Sequence, residues 1–309
     1  MQIKKMNLKF LNAINAEGNK EQFTFRIDKS RNEYINVGPY WIRNFAKLSV
    51  NPVDINNLYE EDEIKTLIEN EIANSKLNSP NLLEENFKFR NVLIISDGYG
   101  FEDHKEVLDG VGDDLCVICI RNAARYWQAY KFPDFLLVQN PFDNVFSQMP
   151  EKNYPKLIAS RRAKTQFMIS YKNISYLYDP VCELRYQSPY AKASKLFIDE
   201  YRNPICAAIG CAHHFGAKNI FMAYCSDAYK EQRPGAEEVS EGLFAYPQQI
   251  LANKIINANL FWQKFSDLSC QIYYTGVKNS FTFAKYLQKE DFKKTLIGQT
   301  YEGQTEILV

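Results

Sequence analysis

From residue 89 onward, short apolar runs alternate with longer segments of helical character. The runs cover 91–96, 115–120, 134–139, 156–159, 219–224 and 270–274. These predict strands, and the mostly apolar run at 219–224 predicts one covered on both faces. Helices are predicted between them, near 103–108, 122–130, 204–215 and 247–265. Strand–helix alternation with short links predicts a mostly parallel sheet with right-handed crossovers. The expected fold is therefore α/β, a Rossmann-like doubly wound domain. Its clearest unit runs from Asn203 to Asp227. Asn203 is a good N-cap, Pro204 suits the first helical position, and Gly216 suits the left-handed turn that closes a helix. The strand at 219–224 then delivers Ser226 and Asp227 at its carboxyl end, where open α/β sheets bind ligands.

Residues 1–88 differ in character, being rich in Asn, Glu and Lys. Residues 21–27 alternate like a strand. Residues 40–48 read as a helix, 60–72 as a charged amphipathic helix, and 78–85, with Pro80, as a connector. The expected organisation is an N-terminal accessory domain over 1–88, followed by the Rossmann-like domain over 89–309.

With 46% hydrophobic and 24% charged residues, the composition is that of a soluble globular protein. Cationic and anionic residues both total 37, so the balance argues against a nucleic-acid partner. The seven cysteines lie mostly in apolar runs. An odd set of that kind fits reduced thiols and a cytoplasmic location. Cys116 and Cys119 have CxxC spacing, but in a strand residues three apart face opposite sides and cannot share a metal. No metal site is expected. The first residues lack the apolar core of a signal peptide, and no run approaches the ~18 residues of a membrane span.

The carboxyl ends of the predicted strands define one rim. It gathers Ser96-Asp97-Gly98-Tyr99-Gly100, Arg121-Asn122, the stretch from Gln139 and Asn140 to Asp143, Ser160-Arg161-Arg162, and Ser226-Asp227. Such a set suits ligand binding; each residue singly would also serve as a cap or turn. Gly98 and Gly100 would let the backbone approach a phosphate. Arg161 and Arg162 would pair with a phosphate or a sugar carboxylate. His104, just after the first strand of this domain, is the histidine placed for acid–base work. His213 and His214 end a helix that runs against the strands, so they belong at the opposite edge. No Ser-His-Asp order, HExxH pair or Walker lysine is present.

Four segments together resemble the motility-associated factor (Maf) glycosyltransferase-like family, also called MptE-like, which is related to bacterial sialyltransferases. They are the strand and turn 91–100, the stretch 120–140 with Phe132-Pro133-Asp134-Phe135, the helix and strand 204–227 ending in Asp227, and Tyr246-Pro247-Gln248-Gln249-Ile250. The resemblance implies transfer of a sugar, of the nonulosonic (sialic) type, from a CMP-activated donor to a protein or glycan acceptor, with no cofactor beyond that donor. Gly98 and Gly100 would pack against the nucleotide. Asn122 and Asn140 would hydrogen-bond its ribose or the sugar; Asn140-Pro141 is similar to the sialyltransferase branch. Asp227, or His104, would take the acceptor's proton. Ser96, Asp97, Arg161 and Ser226 complete the substrate-binding set. Two alternatives stand beside this. The family's Gly-x-Gly-Pro-Ser turn is here Asp97-Gly98-Tyr99-Gly100-Phe101, which suits a degenerate, non-enzymatic scaffold or assembly component. Diphosphate transfer to a pterin would need clustered acids after Val138, where only Asp143 stands near.

Overall fold

The computed structural model describes residues 9–14, 20–27, 33–37 and 40–43 by their backbone. It also describes 61–101, 104–111, 114–120, 123, 133–139, 155–171, 173–180, 198, 203–226, 228–230, 232, 236–240, 242–245, 270–278, 280–281 and 283–305. The first four segments form strands β1 (Lys9–Ile14), β2 (Lys20–Ile27), β3 (Glu33–Val37) and β4 (Tyr40–Arg43), an antiparallel sheet in chain order. The strand expected at 21–27 is β2. The helix expected at 40–48 is not formed at its start, where Tyr40–Arg43 is a strand. The pairing Val37↔Tyr40 leaves Gly38 and Pro39 to connect β3 and β4. That Gly-Pro pair is punctuation, and Tyr-Trp-Ile favours strand over helix. Residues 44–48 lie outside the described residues.

Helix α1 (Glu61–Asn74) follows, then a 3-10 turn at Leu82–Glu84. The α/β part runs β5 (Asn91–Ile95), α2 (His104–Leu108), β6 (Cys116–Ile120), β7 (Phe135–Val138), β8 (Lys156–Ser160), α3 (Thr165–Ser170) and β9 (Ser175–Tyr178). It continues with α4 (Pro204–His214), β10 (Asn219–Ala223), β11 (Ala228–Tyr229), β12 (Glu237–Ser240), β13 (Leu243–Ala245), β14 (Gln271–Thr275), β15 (Lys285–Tyr286) and α5 (Lys289–Thr305). Eight strands form one sheet in the order β15-β14-β10-β5-β6-β7-β8-β9. Every pairing in it is parallel. The expected α/β fold with a doubly wound, mostly parallel sheet is the fold observed. The six expected strands are β5, β6, β7, β8, β10 and β14, each within a residue or so of its predicted bounds. Apart from Ala123, the expected helices at 122–130 and 247–265 lie outside the described residues.

Both faces of this sheet are covered, which is why its strands read as continuous apolar runs. Val92 and Ile94 of β5, Cys116, Ile118 and Ile120 of β6, and Ile220 and Met222 of β10 belong to one core with α4. Leu93, Ile95, Val117, Cys119, Phe221 and Ala223 belong to the other, with Val107 and Leu108 of α2, Phe167 and Met168 of α3, and Phe292 and Leu296 of α5. Cys116 and Cys119 therefore face opposite sides. The described cysteines are free thiols.

Residues 61–88 pack on this domain. The Asn74 side-chain amide donates to the carbonyls of Arg161 (2.8 Å) and Ala163 (2.7 Å). Glu71 pairs with Arg162 at 3.4 Å, both side chains being buried. Leu82 and Leu83 enter the α4-side core, and Leu177 N–H donates to Pro80 O, covering the edge of β9. The segment read as a connector thus seals an edge strand, which would otherwise present unpaired backbone groups.

Candidate functional site at the carboxyl edge

The chain starts this sheet at β5, lays β6 to β9 to one side, then returns to place β10 on the other side. The carboxyl ends of β5 and β10 are therefore the topological switch point, the place where open α/β sheets bind ligands. The helix that returns the chain is well specified. The Asn203 side chain accepts from Ile205 N–H at 2.8 Å, Pro204 opens the helix, and Gly216 closes it at φ +79°. Phe89 N–H donates to Phe215 O and Lys218 N–H to Arg90 O. The carboxyl end of α4, with His213 and His214, therefore lies at the amino edge of β5 and β10, away from the candidate rim, as the sequence predicts.

Ser96, Asp97, Gly98 and Gly100 follow β5 and are brought against Ser226, which follows β10. Ser96 N–H donates to Ala223 O, Gly98 N–H to Tyr224 O (3.0 Å), Tyr99 N–H to Ala228 O (2.8 Å), and Phe101 N–H to Gly98 O. A Cβ at Gly98 would fall inside the 3.0 Å limit of real contacts, against the carbonyl oxygens of both Ser226 and Tyr224. At Gly100, φ +88°, it would lie 3.1 Å from the Tyr224 ring. Both glycines thus serve close approach, and what they approach is the β10 loop. Tyr224 itself has φ +56°, a costly conformation for an aromatic residue. Its ring meets that of Phe101 edge-on at 5.9 Å.

A third loop joins them. Gly276 follows β14 at φ +117°. A Cβ there would lie 3.6 Å from Tyr99 O and 3.8 Å from Ser226 Oγ. Ser226 is 6% exposed, and its hydroxyl has no hydrogen-bond partner among the described residues. The same holds for the side-chain nitrogen of Gln139, which follows β7. Buried polar groups are nearly always paired, so each orphan calls for an explanation; the Asn74 side-chain oxygen, beside the β8–α3 turn, is another. Gln139 stood on the rim read from the sequence without a role, and Gly276 was not on it. Both stand just after strands legible in the sequence, and that position was the available signal.

Arg161 is not brought to this switch point. It follows β8, three strands from β5, a separation of roughly 14 Å at the usual strand spacing. Its Nε–H donates to Asp179 Oδ1 at 2.5 Å, and Arg162 is turned to Glu71. His104 is the first residue of α2, and its side chain lies outside the described residues. Asn122, Asn140 and Asp227 also lie outside them. Their chain positions follow β6, β7 and β10, and Asp227 directly precedes β11. At Cys119 in β6, burial above all, then Asp134 and Cys225, holds the thiol well above its usual range. It stays protonated and is no nucleophile. Among the described residues, no group of three or more His, Cys, Asp or Glu could hold a metal ion. No described helix is long and apolar enough to cross a membrane.

The fold defines a class: an α/β protein built on a doubly wound, parallel sheet with a switch point at the carboxyl edge of β5 and β10. Among solved structures, the chain is similar to the Maf glycosyltransferase from Magnetospirillum magneticum AMB-1, with TM-score 0.51 and 12% sequence identity. The likeness covers 77% of this chain and 42% of that one, so the chain spans less than half of the protein it resembles. No family model matches the chain, and no curated protein matches it.

Proposed function

We propose that this chain is a glycosyltransferase-like protein that handles a sugar at the carboxyl edge of β5 and β10. The observation that carries the reading is the switch point itself. This edge gathers Ser96, Asp97, Gly98 and the buried hydroxyl of Ser226, which has no partner among the described residues, with Asp227 next in the chain. In the finer form of the proposal, the donor is a CMP-activated nonulosonic sugar, as in the sialyltransferase branch. Asn122 and Asn140 hydrogen-bond the ribose or the donor sugar. Asp227 takes the acceptor's proton, with His104 as the other candidate base. Such chemistry is chiefly positioning and stabilisation of developing charge.

A second reading, a non-enzymatic member of the same fold, is favoured by one observation. The turn after β5 spends the N–H groups of Ser96, Gly98, Tyr99 and Phe101 on protein carbonyls. A phosphate cradle needs such groups free. Calorimetry with millimolar CMP and a CMP-nonulosonate separates the two. Under the transferase reading both bind, Asn122→Ala weakens binding by about 1–3 kcal/mol, and Asp227→Asn reduces turnover while leaving the fold intact. No heat from either ligand in folded protein refutes the transferase reading.

A further inference from the structure

The amino edge of the sheet, opposite the switch point, carries a hollow of about 680 Å³ lined by Lys88, Phe89, Arg90, Phe215, Gly216 and Lys218. Ahead of β5, exposure alternates: Lys88 and Arg90 are exposed, while Phe87 and Phe89 pack on the α4-side core. The pair Asn91↔Asn219 sets Arg90 beside Lys218 at the heads of β5 and β10, and Lys218 N–H donates to Arg90 O at 2.8 Å. The Phe89 and Phe215 rings, 5.5 Å apart, give the hollow an apolar wall. Nothing lies within 4 Å of the place a Gly216 side chain would take, so that side is open. Three cations thus share one hollow, and none of the described residues lining it is acidic. Asp114 precedes β6 as Arg90 precedes β5, yet it does not line the hollow. The carboxyl end of α4 does not account for the cations. Its carbonyls at Cys211, Ala212, His213 and Phe215 already accept backbone N–H groups. A helix end supplies only about −0.5 charge, so the hollow stays strongly positive.

We propose that this hollow binds the diphosphate group of a small phosphate ester, held by Lys88, Arg90 and Lys218. A guanidinium takes two phosphoryl oxygens side by side, and the two ammonium groups act as point charges. A carboxylate answers one of the three charges and a single phosphate at most two; a diphosphate answers all of them. The apolar wall lowers the local dielectric and strengthens the pairing. The hollow is larger than a lone oxyanion needs and falls within the range of about 300–1,000 Å³ usual for small-molecule sites. The organic part of the ester therefore has room along Phe89 and out past Gly216. The turn after β5 offers such a group little, because four of its amides are spent and the arginines of the β8 end are turned to Asp179 and Glu71. The amino-edge site stands whether or not the carboxyl edge handles a sugar.

Calorimetry on the full chain at low salt tests it, with ADP, inorganic pyrophosphate and inorganic phosphate as probes. The expected order of affinity is ADP, then pyrophosphate, then phosphate. Lys88→Gln combined with Lys218→Gln should weaken ADP and pyrophosphate by about tenfold. Both lysines are exposed, so the melting temperature of this variant should not fall. Lys65→Gln combined with Lys76→Gln removes the same charge from exposed positions on and beside α1 and should leave both affinities unchanged. No heat from ADP or pyrophosphate in folded protein overturns the site. Equal weakening by the two double variants overturns it as well, because net charge and not this hollow then attracts the anion. Binding unchanged by the Lys88 and Lys218 pair places the ligand elsewhere and has the same force. Pyrophosphate binding as tightly as ADP overturns the ester and leaves the free diphosphate ion as the ligand.

Discussion

Gly98→Ala tests the account of the switch point most directly. Gly98 carries no positive φ, so its reason for being glycine is space alone. An added methyl would meet two backbone carbonyl oxygens, Ser226 O and Tyr224 O, inside the 3.0 Å limit. Backbone cannot swing aside as a flexible side chain can, so the β5 or β10 loop must move. Overpacking of this kind costs about 1–3 kcal/mol. The same movement breaks the Gly98 N–H to Tyr224 O bond, worth about 1 kcal/mol. The expected loss is therefore about 2–4 kcal/mol, a large share of a typical stability of 5–15 kcal/mol. Gly216→Ala is the comparison. Nothing lies within 4 Å of a Cβ there, but φ is +79°, so only backbone strain of about 1–2 kcal/mol is expected. Urea denaturation followed by circular dichroism reads both, with m values checking that the transition stays two-state. If Gly98→Ala costs no more than Gly216→Ala, the two loops are not packed as described, and the argument that the turn is closed to phosphate fails with them.

Other outcomes follow from the same coordinates. Glu71→Ala leaves the buried Arg162 guanidinium without this carboxylate and should cost about 3–5 kcal/mol, whereas Glu71→Leu combined with Arg162→Met should recover most of it in the same denaturation assay. Asn74→Ala removes two bonds to the β8–α3 turn and should loosen α1 first, seen as faster amide exchange in 61–74 than in β5. Burial pushes the Cys270 thiol up from 9.0 to about 11. Because the folded value is the higher one, its contribution is fully present below pH 9 and is lost as pH rises through about 11. Stability of the parent minus that of Cys270→Ala should therefore be flat up to pH 9 and fall from 9 to 11; a flat difference across that range contradicts the burial.

Several features of this protein were legible along the chain because they depend on neighbours in sequence. Burial on both faces of β5, β6, β7 and β10 leaves an apolar run in each, preceded in β5 and β10 by the buried Asn91 and Asn219, whose side chains bond each other. The cap, proline and glycine of α4 are local hydrogen-bonding and φ requirements. From such strands and helices the parallel sheet follows, and with it the edge at which Ser96 and Ser226 stand. The weaker elements escaped. Strands β11, β13 and β15 are two or three residues long and exist only through their partners. Among its described side chains, helix α5 has Phe292 and Leu296 fully buried, too sparse a stripe to stand out among lysines and glutamates.

What the tertiary structure alone decided is the use of each polar group. Asp97-Gly98-Tyr99-Gly100 reads identically whether its glycines admit a phosphate or the backbone of another loop. Only the approach of Tyr224 and Ser226, more than a hundred residues away, makes it the second. Arg161 and Arg162 read as free cations at a rim, yet Asp179 and Glu71 reach them from β9's end and from α1. Gly276 has no local pattern at all; it matters because its backbone, at φ +117°, passes close to Tyr99 and Ser226. Periodicity is a property of consecutive residues, so the chain carries it openly. Pairing between side chains and carbonyls far apart in sequence comes into being only when strand order sets the ends of β5, β10 and β14 side by side.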